Sequence, residues 1–270
     1  MLVRQRVADR DALRRRGDPA KLRAMAIAKT VRSTAKSAKP ASPSPRFTGF
    51  ARDAMGFWHE LAAEMNRDWY MANKDRYDAL WVQPMTALLA EVSTKIAPLY
   101  PGAKLAAPKI MRIHRDVRFA KDKTPYKTWI GASLRLGDHN QPQDGVTALY
   151  LHFGIDEDFA GCGRYVFEDA TLLKWRKKVA DPKLGPEVAK LVGSLREAGY
   201  DMHAHDTLQR VPKPYDADHP RAELLKMKGL VASFPEMPRG IIHKPALVDW
   251  LAGHCKAAAP MTRWLKKHLG

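Results

Sequence analysis

The spacing of apolar residues changes from a helical to a strand period near the middle of this chain, and this change constrains the fold most. Between Tyr77 and Ile96 apolar side chains recur every three or four residues, which predicts one long amphipathic helix. Over Thr128–Leu136 and Thr147–Ile155 they recur at every second position, which predicts two strands. Residues 137–145 between these strands are rich in Gly, Asp, Asn and Pro, and they predict a loose hairpin turn.

Further elements are predicted on both sides of this region. Helices are predicted at Asp53–Met65, Ala170–Val179 with Asp169 as cap, Pro186–Ala198, Asp218 to Gly229, and Pro245–Leu269 with a break at Pro260. Additional strands are predicted at Met111–Phe119, Gly163–Phe167 and Gly229–Phe234. This order predicts an α+β fold rather than alternating βαβ units. We expect a single domain, 47–270, in which helices flank a central antiparallel sheet made of a meander of about four strands plus a later strand.

Residues 1–46 have a different composition from the rest of the chain. They hold thirteen Lys/Arg and three Asp, a net charge of +10 out of the total of +17, and few large apolar residues. Such a segment cannot bury enough apolar surface to offset its chain entropy, so we expect a disordered basic tail. A solvated extension, a tail that binds nucleic acid or acidic surfaces, and a targeting peptide remain open interpretations. Met25 offers an alternative start, in which case residues 1–24 do not belong to the natural protein.

Several classes of protein are excluded by what the sequence lacks. Cys162 and Cys255 have no C-x-x-C partner, so no disulfide framework or zinc ribbon is indicated. No apolar run approaches the roughly 20 residues of a membrane span, and no signal-peptide core is present. His203 and His205 alternate as metal ligands on a strand would, but no third ligand is identifiable. We therefore expect a cytoplasmic protein without a membrane partner; the sequence assigns no metal site and identifies no cofactor.

The segment 112–127 is the candidate functional region, because it holds six Lys/Arg, one His and two Asp. If Met111–Phe119 is a strand, its even-numbered polar residues share one face. That face would join Lys127, Tyr150 and His152 on one polar surface. Arg115 would lie on the opposite, apolar face, where it is either a structural ion-pair anchor or a sign that the strand ends near Asp116.

We interpret this surface as a candidate anion-binding site, because guanidinium and ammonium groups bind phosphate and carboxylate. The predicted binding residues are Arg112, Arg115, Arg118, Asp122, Lys123, Lys127, Tyr150 and His152. The candidates for proton transfer are His114, Asp116 and Tyr126. The alternative interpretation is a solvated charged face on which Asp116 and Asp122 neutralise the arginines.

The same segment resembles a known family signature. It fits R-x-x-R-D-x-R-F-x-x-D-K-x-x-Y at Arg112, Arg115, Asp116, Arg118, Phe119, Asp122, Lys123 and Tyr126. This pattern is similar to that of a bacterial family, also found as a domain in fungi, catalogued as domain of unknown function twenty-four sixty-one. Further similar segments, among them the expected turn at Gly161–Arg164, extend the resemblance over about residues 47 to 240. The resemblance implies that the motif defines the family, and it implies no substrate.

Three functional hypotheses follow from the charge pattern. The first, which we favour, is a binding or catalytic domain for a phosphorylated or carboxylated small molecule, with Arg112, Arg118, Lys123 and Lys127 as the anion clamp. The second is a nucleic-acid-binding protein that contacts phosphates through the same surface and the tail, with Trp129 and Tyr150 stacking on bases. The third is a structural or interaction module with an internal Arg-Asp network. Neither an oligomeric state nor a reaction is predicted.

Overall fold

The computed structural model describes residues 46–137 and 145–270. The predicted basic tail up to residue 45 and most of the predicted turn at 137–145 lie outside the described residues. The amino-terminal helical region contains α1 (Ala54–Glu64), α2 (Arg67–Tyr77), a π-helical turn (Asp78–Val82), α3 (Gln83–Ile96) and a 3-10 turn (Ala97–Leu99). Asn66 separates α1 from α2, because its side-chain oxygen accepts a 2.8 Å hydrogen bond from the Trp69 backbone N–H and so begins the second helix. The predicted helix between Tyr77 and Ile96 is confirmed, with a π-helical first turn.

The predicted antiparallel sheet is confirmed and has one strand more than expected. Within the described residues it contains β1 (Lys109–Ile110), β2 (Trp129–Arg135), β3 (Thr147–Gly154), β4 (Asp158–Arg164), β5 (Asp201–His203) and β6 (Leu230–Ser233). Their spatial order is β1-β2-β3-β4-β6-β5, and every pairing is antiparallel. β4 begins five residues before the predicted Gly163–Phe167 strand, because residues 155–157 turn the chain directly back along β3.

The carboxy-terminal helices are α4 (Asp169–Ala180), α5 (Leu184–Glu197), α6 (Ala222–Lys226) and α7 (Leu247–Leu269). Asp169 is the first residue of α4 rather than its cap, so that prediction is wrong. The predicted break at Pro260 is also wrong, because α7 continues through it. Proline has no backbone N–H, so Pro260 leaves the Lys256 carbonyl without its helical donor. Both residues lie on the exposed side of the helix, where water can reach this carbonyl.

The helices that pack on the sheet form one layer. α7 contacts β3 and β4, and α3, α4 and α5 all pack against α7. The buried core therefore lies between this layer and the sheet face that carries Ile130, Ala132, Leu151 and Phe153. The opposite face carries partly buried aromatic residues, which are described below. No helix of the described ranges is long and apolar enough to cross a membrane.

The strand β4 holds the two layers together. The expected turn at Gly161–Arg164 is part of this strand, and Gly163 is required there because a Cβ would lie 2.2 Å from the Leu230 carbonyl oxygen, at φ +132°. Arg164 is only 4% exposed. Its guanidinium donates to the Leu269 carbonyl and to Thr171 Oγ1, both at 2.9 Å. Arg164 thus ties the sheet to the end of α7 and the start of α4. At the end of α7 its positive charge also interacts favourably with the negative end of the helix dipole.

We predict that Arg164→Ala lowers the free energy of unfolding by about 2–4 kcal/mol, because it leaves buried acceptors without their donor. Urea denaturation monitored by circular dichroism measures this loss. Arg196→Ala is the control, since Arg196 is 45% exposed and pairs with Glu223 at 3.3 Å. The control is expected to cost less than about 1 kcal/mol. Equal losses in the two variants would contradict a buried anchoring role for Arg164.

Candidate functional site

The charged segment folds back on itself and does not extend the sheet. The Met111 backbone N–H still donates to the Gly131 carbonyl at 2.8 Å, but beyond this point the chain pairs with its own continuation. Arg115 N–H donates to the Pro125 carbonyl and Lys127 N–H to the Ile113 carbonyl, both at 2.9 Å. We call residues 111–128 the charged hairpin. The predicted strand Met111–Phe119 is therefore wrong, because the partners of this segment lie within the hairpin and not on a neighbouring strand.

The hairpin is closed by contacts of Arg115. Its guanidinium donates to both the Asp122 carboxylate and Thr124 Oγ1. Asp122 also accepts hydrogen bonds from the Thr124 N–H at 2.9 Å and the Thr124 hydroxyl at 3.0 Å. The hydrogen bond from Arg115, followed by those from Thr124, lowers the pKa of Asp122 to about 2. Of the two alternatives for Arg115, the structure shows the ion pair; no strand that could end near Asp116 is present at residues 111–119.

The outer end of the hairpin is braced in the same way. Arg118 donates two hydrogen bonds to the Asp116 carboxylate, at 3.0 and 2.8 Å, and this pairing lowers the pKa of Asp116. Lys123 Nζ donates to the Val117 carbonyl at 2.9 Å. Arg118 is 76% exposed. The predicted clamp residues Arg118 and Lys123 therefore lie at the exposed end and are engaged within the hairpin.

The base of the hairpin packs against α2. Tyr126 is buried, and its ring centroid lies 4.7 Å from that of Tyr70 and 5.2 Å from that of His114. Tyr70 and His114 also meet edge to face, at 5.7 Å. Two of the three candidates for proton transfer thus belong to an aromatic cluster that fixes the hairpin on the helical region.

An open cleft of about 520 Å³ runs along the base of the hairpin. Its walls come from the hairpin, from the end of α1 and from the turn after β3. The lining residues are Met65, Arg115, Asp116, Asp122, Thr124, Tyr126, Lys127, Thr128, Trp129 and Asp156. The structure therefore brings five of the predicted site residues together in one cavity. Sequence reasoning missed Met65 and Asp156, and the only available signal for Asp156 was the acidic turn 156–158 that reverses the chain.

Two cations line this cleft, Arg115, which is paired with Asp122, and Lys127. Lys127 Nζ donates to the Arg112 carbonyl at 3.0 Å and lies 4.5 Å from the Trp129 ring centroid. Burial, followed by the charge of Arg112, lowers the pKa of Lys127. Within residues 46–137 and 145–270, Lys127 has no carboxylate partner within 4.0 Å of its ammonium group. It is thus a partly desolvated cation next to a second one.

A column of stacked rings extends from Lys127 across the outer face of the sheet. Trp129 lies 4.4 Å from His152, and His152 stacks on Phe159 at 4.7 Å between centroids. Tyr150 approaches the same Phe159 ring at 5.7 Å. Burial lowers the pKa of His152 and raises that of Tyr150. Tyr150 and His152 therefore lie on the outer face of the sheet, as predicted, but they do not line the cleft. Trp129 lines it, His152 is the next ring in the column, and Tyr150 lies beyond Phe159.

The two histidines considered as metal ligands have separate partners. His203 Nδ1 lies 3.0 Å from an Asp201 carboxylate oxygen, whereas His205 Nδ1 is 3.0 Å from the Tyr165 carbonyl oxygen. Across the part of the chain that the structure describes, no group of three or more His, Cys, Asp or Glu residues is arranged to hold a metal ion. Both cysteines are free and buried, and burial raises the pKa of each thiol.

We predict that the closure of the hairpin survives mild acid. Because the pKa of Asp122 is about 2 in the folded state against an ordinary value of 3.8, its ionised form favours the closed hairpin. This contribution is fully present above about pH 4 and is lost as the pH falls through about 2. Carbon-13 NMR titration of the Asp122 carboxyl measures the value. Thr124→Val removes one donor and is expected to raise this pKa; titration of the wild-type group near 3.8 would contradict the closure.

A comparison with known families identifies the family to which this chain belongs. A family model described as "Conserved hypothetical protein (DUF2461)" matches residues 53–264, a longer span than the signature and its neighbouring segments indicated. No curated protein and no solved structure matches the chain significantly. Since the family model spans the helical region, the whole described sheet and most of α7, the chain belongs to this family of conserved hypothetical proteins.

Proposed function

We propose that this domain binds a small phosphorylated or carboxylated molecule in the cleft at the base of the charged hairpin. The observation that carries the proposal is Lys127, a partly desolvated ammonium group that faces the cleft beside Arg112 and has no carboxylate partner among the described residues. Placing two cations side by side costs electrostatic free energy, which an incoming anion recovers. The function is binding of an anion; a reaction is not part of the proposal.

The pairing within the hairpin narrows the predicted clamp to Arg112 and Lys127. Arg115 and Arg118 already hold the carboxylates of Asp122 and Asp116. These two acids line the cleft together with Asp156, and the charges of Asp116 and Asp122 are compensated by the arginines that bind them. Lys127 therefore supplies the positive charge within the cleft, and the exposed Arg112, which does not itself line the cleft, adds its charge from nearby. Arg112 is close enough for its charge to lower the pKa values of both Asp116 and Lys127.

The stacked rings favour a small ligand over a nucleic-acid strand on the sheet. Base stacking requires a free ring face. Trp129 has the Lys127 ammonium at 4.5 Å and the His152 ring at 4.4 Å, and His152 in turn stacks on Phe159. Of the two rings that the nucleic-acid hypothesis needs, Trp129 is thus already engaged within the column, and Tyr150 lies 5.7 Å from the Phe159 ring. An aromatic wall beside a cation instead suits a compact ligand with one anionic group.

The internal Arg-Asp network of the third hypothesis is present as a brace for the site. Its pairs are exposed to solvent, and exposed ion pairs contribute little to global stability. Their effect is to hold the hairpin in one conformation, which lowers the entropic cost of binding. Of the proposed proton-transfer residues, Asp116 and Tyr126 line the cleft, so these roles stay predictions for this site. A cytoplasmic location is likewise proposed, because the chain's two cysteines are free and buried.

We predict that Lys127→Met weakens the binding of sulfate or inorganic phosphate by about tenfold to hundredfold, since it removes a charge-assisted contact worth about 1.5–3 kcal/mol. Methionine keeps an unbranched apolar stem against Trp129, so the wall of the cleft is retained. Isothermal titration calorimetry on the full chain measures the affinity.

Lys123→Met is the matched control, because Lys123 also donates to a backbone carbonyl in the same hairpin but does not line the cleft. It is expected to bind sulfate and phosphate as the wild type does. Equal losses in the two variants, or no binding of either ion to the wild type, would refute the proposed function. Both variants keep residues 1–46, so binding to that basic segment cancels in the comparison.

We further predict that sulfate binding weakens at high pH. Burial and Arg112 lower the pKa of Lys127 in the free protein, whereas a bound anion favours the charged ammonium and raises it. Affinity is therefore constant below the free-state pKa and falls as the pH rises through it, earlier than for an ordinary lysine. Sulfate is the probe because its own charge does not change over this range. A pH profile that is unchanged in Lys127→Met would contradict this assignment.

A further inference from the structure

The outer end of the charged hairpin presents an isolated aromatic ring to solvent. Phe119 is 95% exposed, more than any other large apolar side chain of the described residues. Phenylalanine is usually buried, because transferring its ring out of water is favourable by about 1.5–3 kcal/mol. In the described part of the chain, Phe119 has no ring neighbour and meets only the guanidinium of Arg118, at 5.9 Å from the ring centroid.

The loop that carries Phe119 is braced, so its exposure is a defined feature of the fold. Lys123 Nζ holds the Val117 carbonyl, and Arg118 holds the Asp116 carboxylate. The Arg115 contacts close the loop from the other side. A ring on a braced loop loses little conformational entropy when a partner covers it.

The surroundings of the ring select an anionic partner. The tip of the charged hairpin, residues 117–123, carries Arg118, Lys121, Lys123 and the acid Asp122. Asp116 pairs with Arg118 and Arg115 with Asp122, so Lys121 and Lys123 supply the remaining positive charge. Lys121 is exposed. A partner that fits must therefore offer repeated negative charge together with a flat apolar group that covers one ring.

We propose that the tip of the charged hairpin binds single-stranded nucleic acid, with Phe119 stacking on a base and Lys121 and Lys123 contacting phosphates. One ring suffices for one base, and stacking on an aromatic side chain stabilises by about 1–3 kcal/mol per base. A membrane surface suits the tip less well, because interfacial binding requires several apolar side chains and Phe119 is the only large one at the tip. This site is separate from the cleft, and it does not depend on the stacked rings of the sheet.

The test compares variants of Phe119 in the full chain. Fluorescence anisotropy measures the binding of a fluorescein-labelled oligothymidylate of about 20 nucleotides, a length that spans more than one site. Phe119→Ala is expected to weaken binding about fivefold to hundredfold, and Phe119→Trp to restore it. Leu173→Ala is the control, since Leu173 is also exposed, at 60%, and lies on α4. It is expected to leave the affinity unchanged.

Phe119→Leu distinguishes a base from a lipid or an apolar pocket. Leucine keeps the apolar character but has no flat ring, so oligonucleotide binding should fall as it does for Phe119→Ala. Retained oligonucleotide affinity in both Phe119→Ala and Phe119→Leu would overturn the proposal. It would also be overturned if wild type and Phe119→Leu bound vesicles of phosphatidylglycerol and phosphatidylcholine equally while the oligonucleotide did not bind.

The phosphate contacts have a separate signature. Lys121→Gln is expected to lower the slope of log affinity against log salt by about 0.7, the value for one phosphate contact on a single strand. An unchanged slope would overturn the phosphate role of Lys121. Lys127→Met should bind the oligonucleotide as the wild type does, because Lys127 lies at the base of the hairpin. Failure of the cleft proposal would therefore show in sulfate binding, and failure of the tip proposal in oligonucleotide binding.

Discussion

The contact of Arg115 with Asp122 and Thr124 is the constraint on which the candidate site depends. Six cations within sixteen residues repel one another, and an extended strand would leave that repulsion unscreened along one edge of the sheet. Folding back lets each of two aspartates meet an arginine and lets the backbone pair within the segment. The charge that remains is then placed at the two ends of the hairpin, with Lys127 at the base and Lys121 and Lys123 at the tip.

The packing of the helices explains why this hairpin has a place to dock. One helix layer covers a single face of the sheet, and the hairpin leaves the sheet after β1, where α2 provides Tyr70 for Tyr126 and His114. The outer face near β2 is then covered by its own aromatic column rather than by a helix. The cleft arises where the base of the hairpin, the end of α1 and the turn after β3 converge.

Much of the fold was predictable because the hydrophobic period reports directly on burial. The long helix, β2 and β3 follow from it, since each buries one regular stripe or face. The strand Met111–Phe119 failed for an instructive reason. Burial does alternate at its start, where Ile113 is buried between the exposed residues Arg112 and His114, but period 2 says nothing about which segment supplies the hydrogen bonds. β5, with three residues, is too short to show any period.

For the candidate site, the sequence singled out the charged segment but could not rank its members. Composition alone makes Arg118, Lys123 and Lys127 equivalent cations. The structure separates them by what each already binds. Arg118 binds the Asp116 carboxylate, Lys123 binds the Val117 carbonyl at the tip, and Lys127 binds the Arg112 carbonyl at the base. Such pairing depends on loop conformation, for which no periodic signal exists. The exposure of Phe119 could not be predicted either, because the residue type by itself predicts burial.

The pairing also explains how one short motif can present two different surfaces. Asp116 and Asp122 cancel Arg118 and Arg115 in the middle of the hairpin, so the two ends interact only weakly through a neutralised and solvated segment. The base, partly desolvated and walled by Trp129, favours a compact anion that can enter a cleft. At the tip, where Phe119 is 95% exposed, we propose instead an extended polyanion that covers the single ring. Desolvation at one end and exposure at the other, rather than the number of cations, are therefore the reasons why we propose a different ligand for each end.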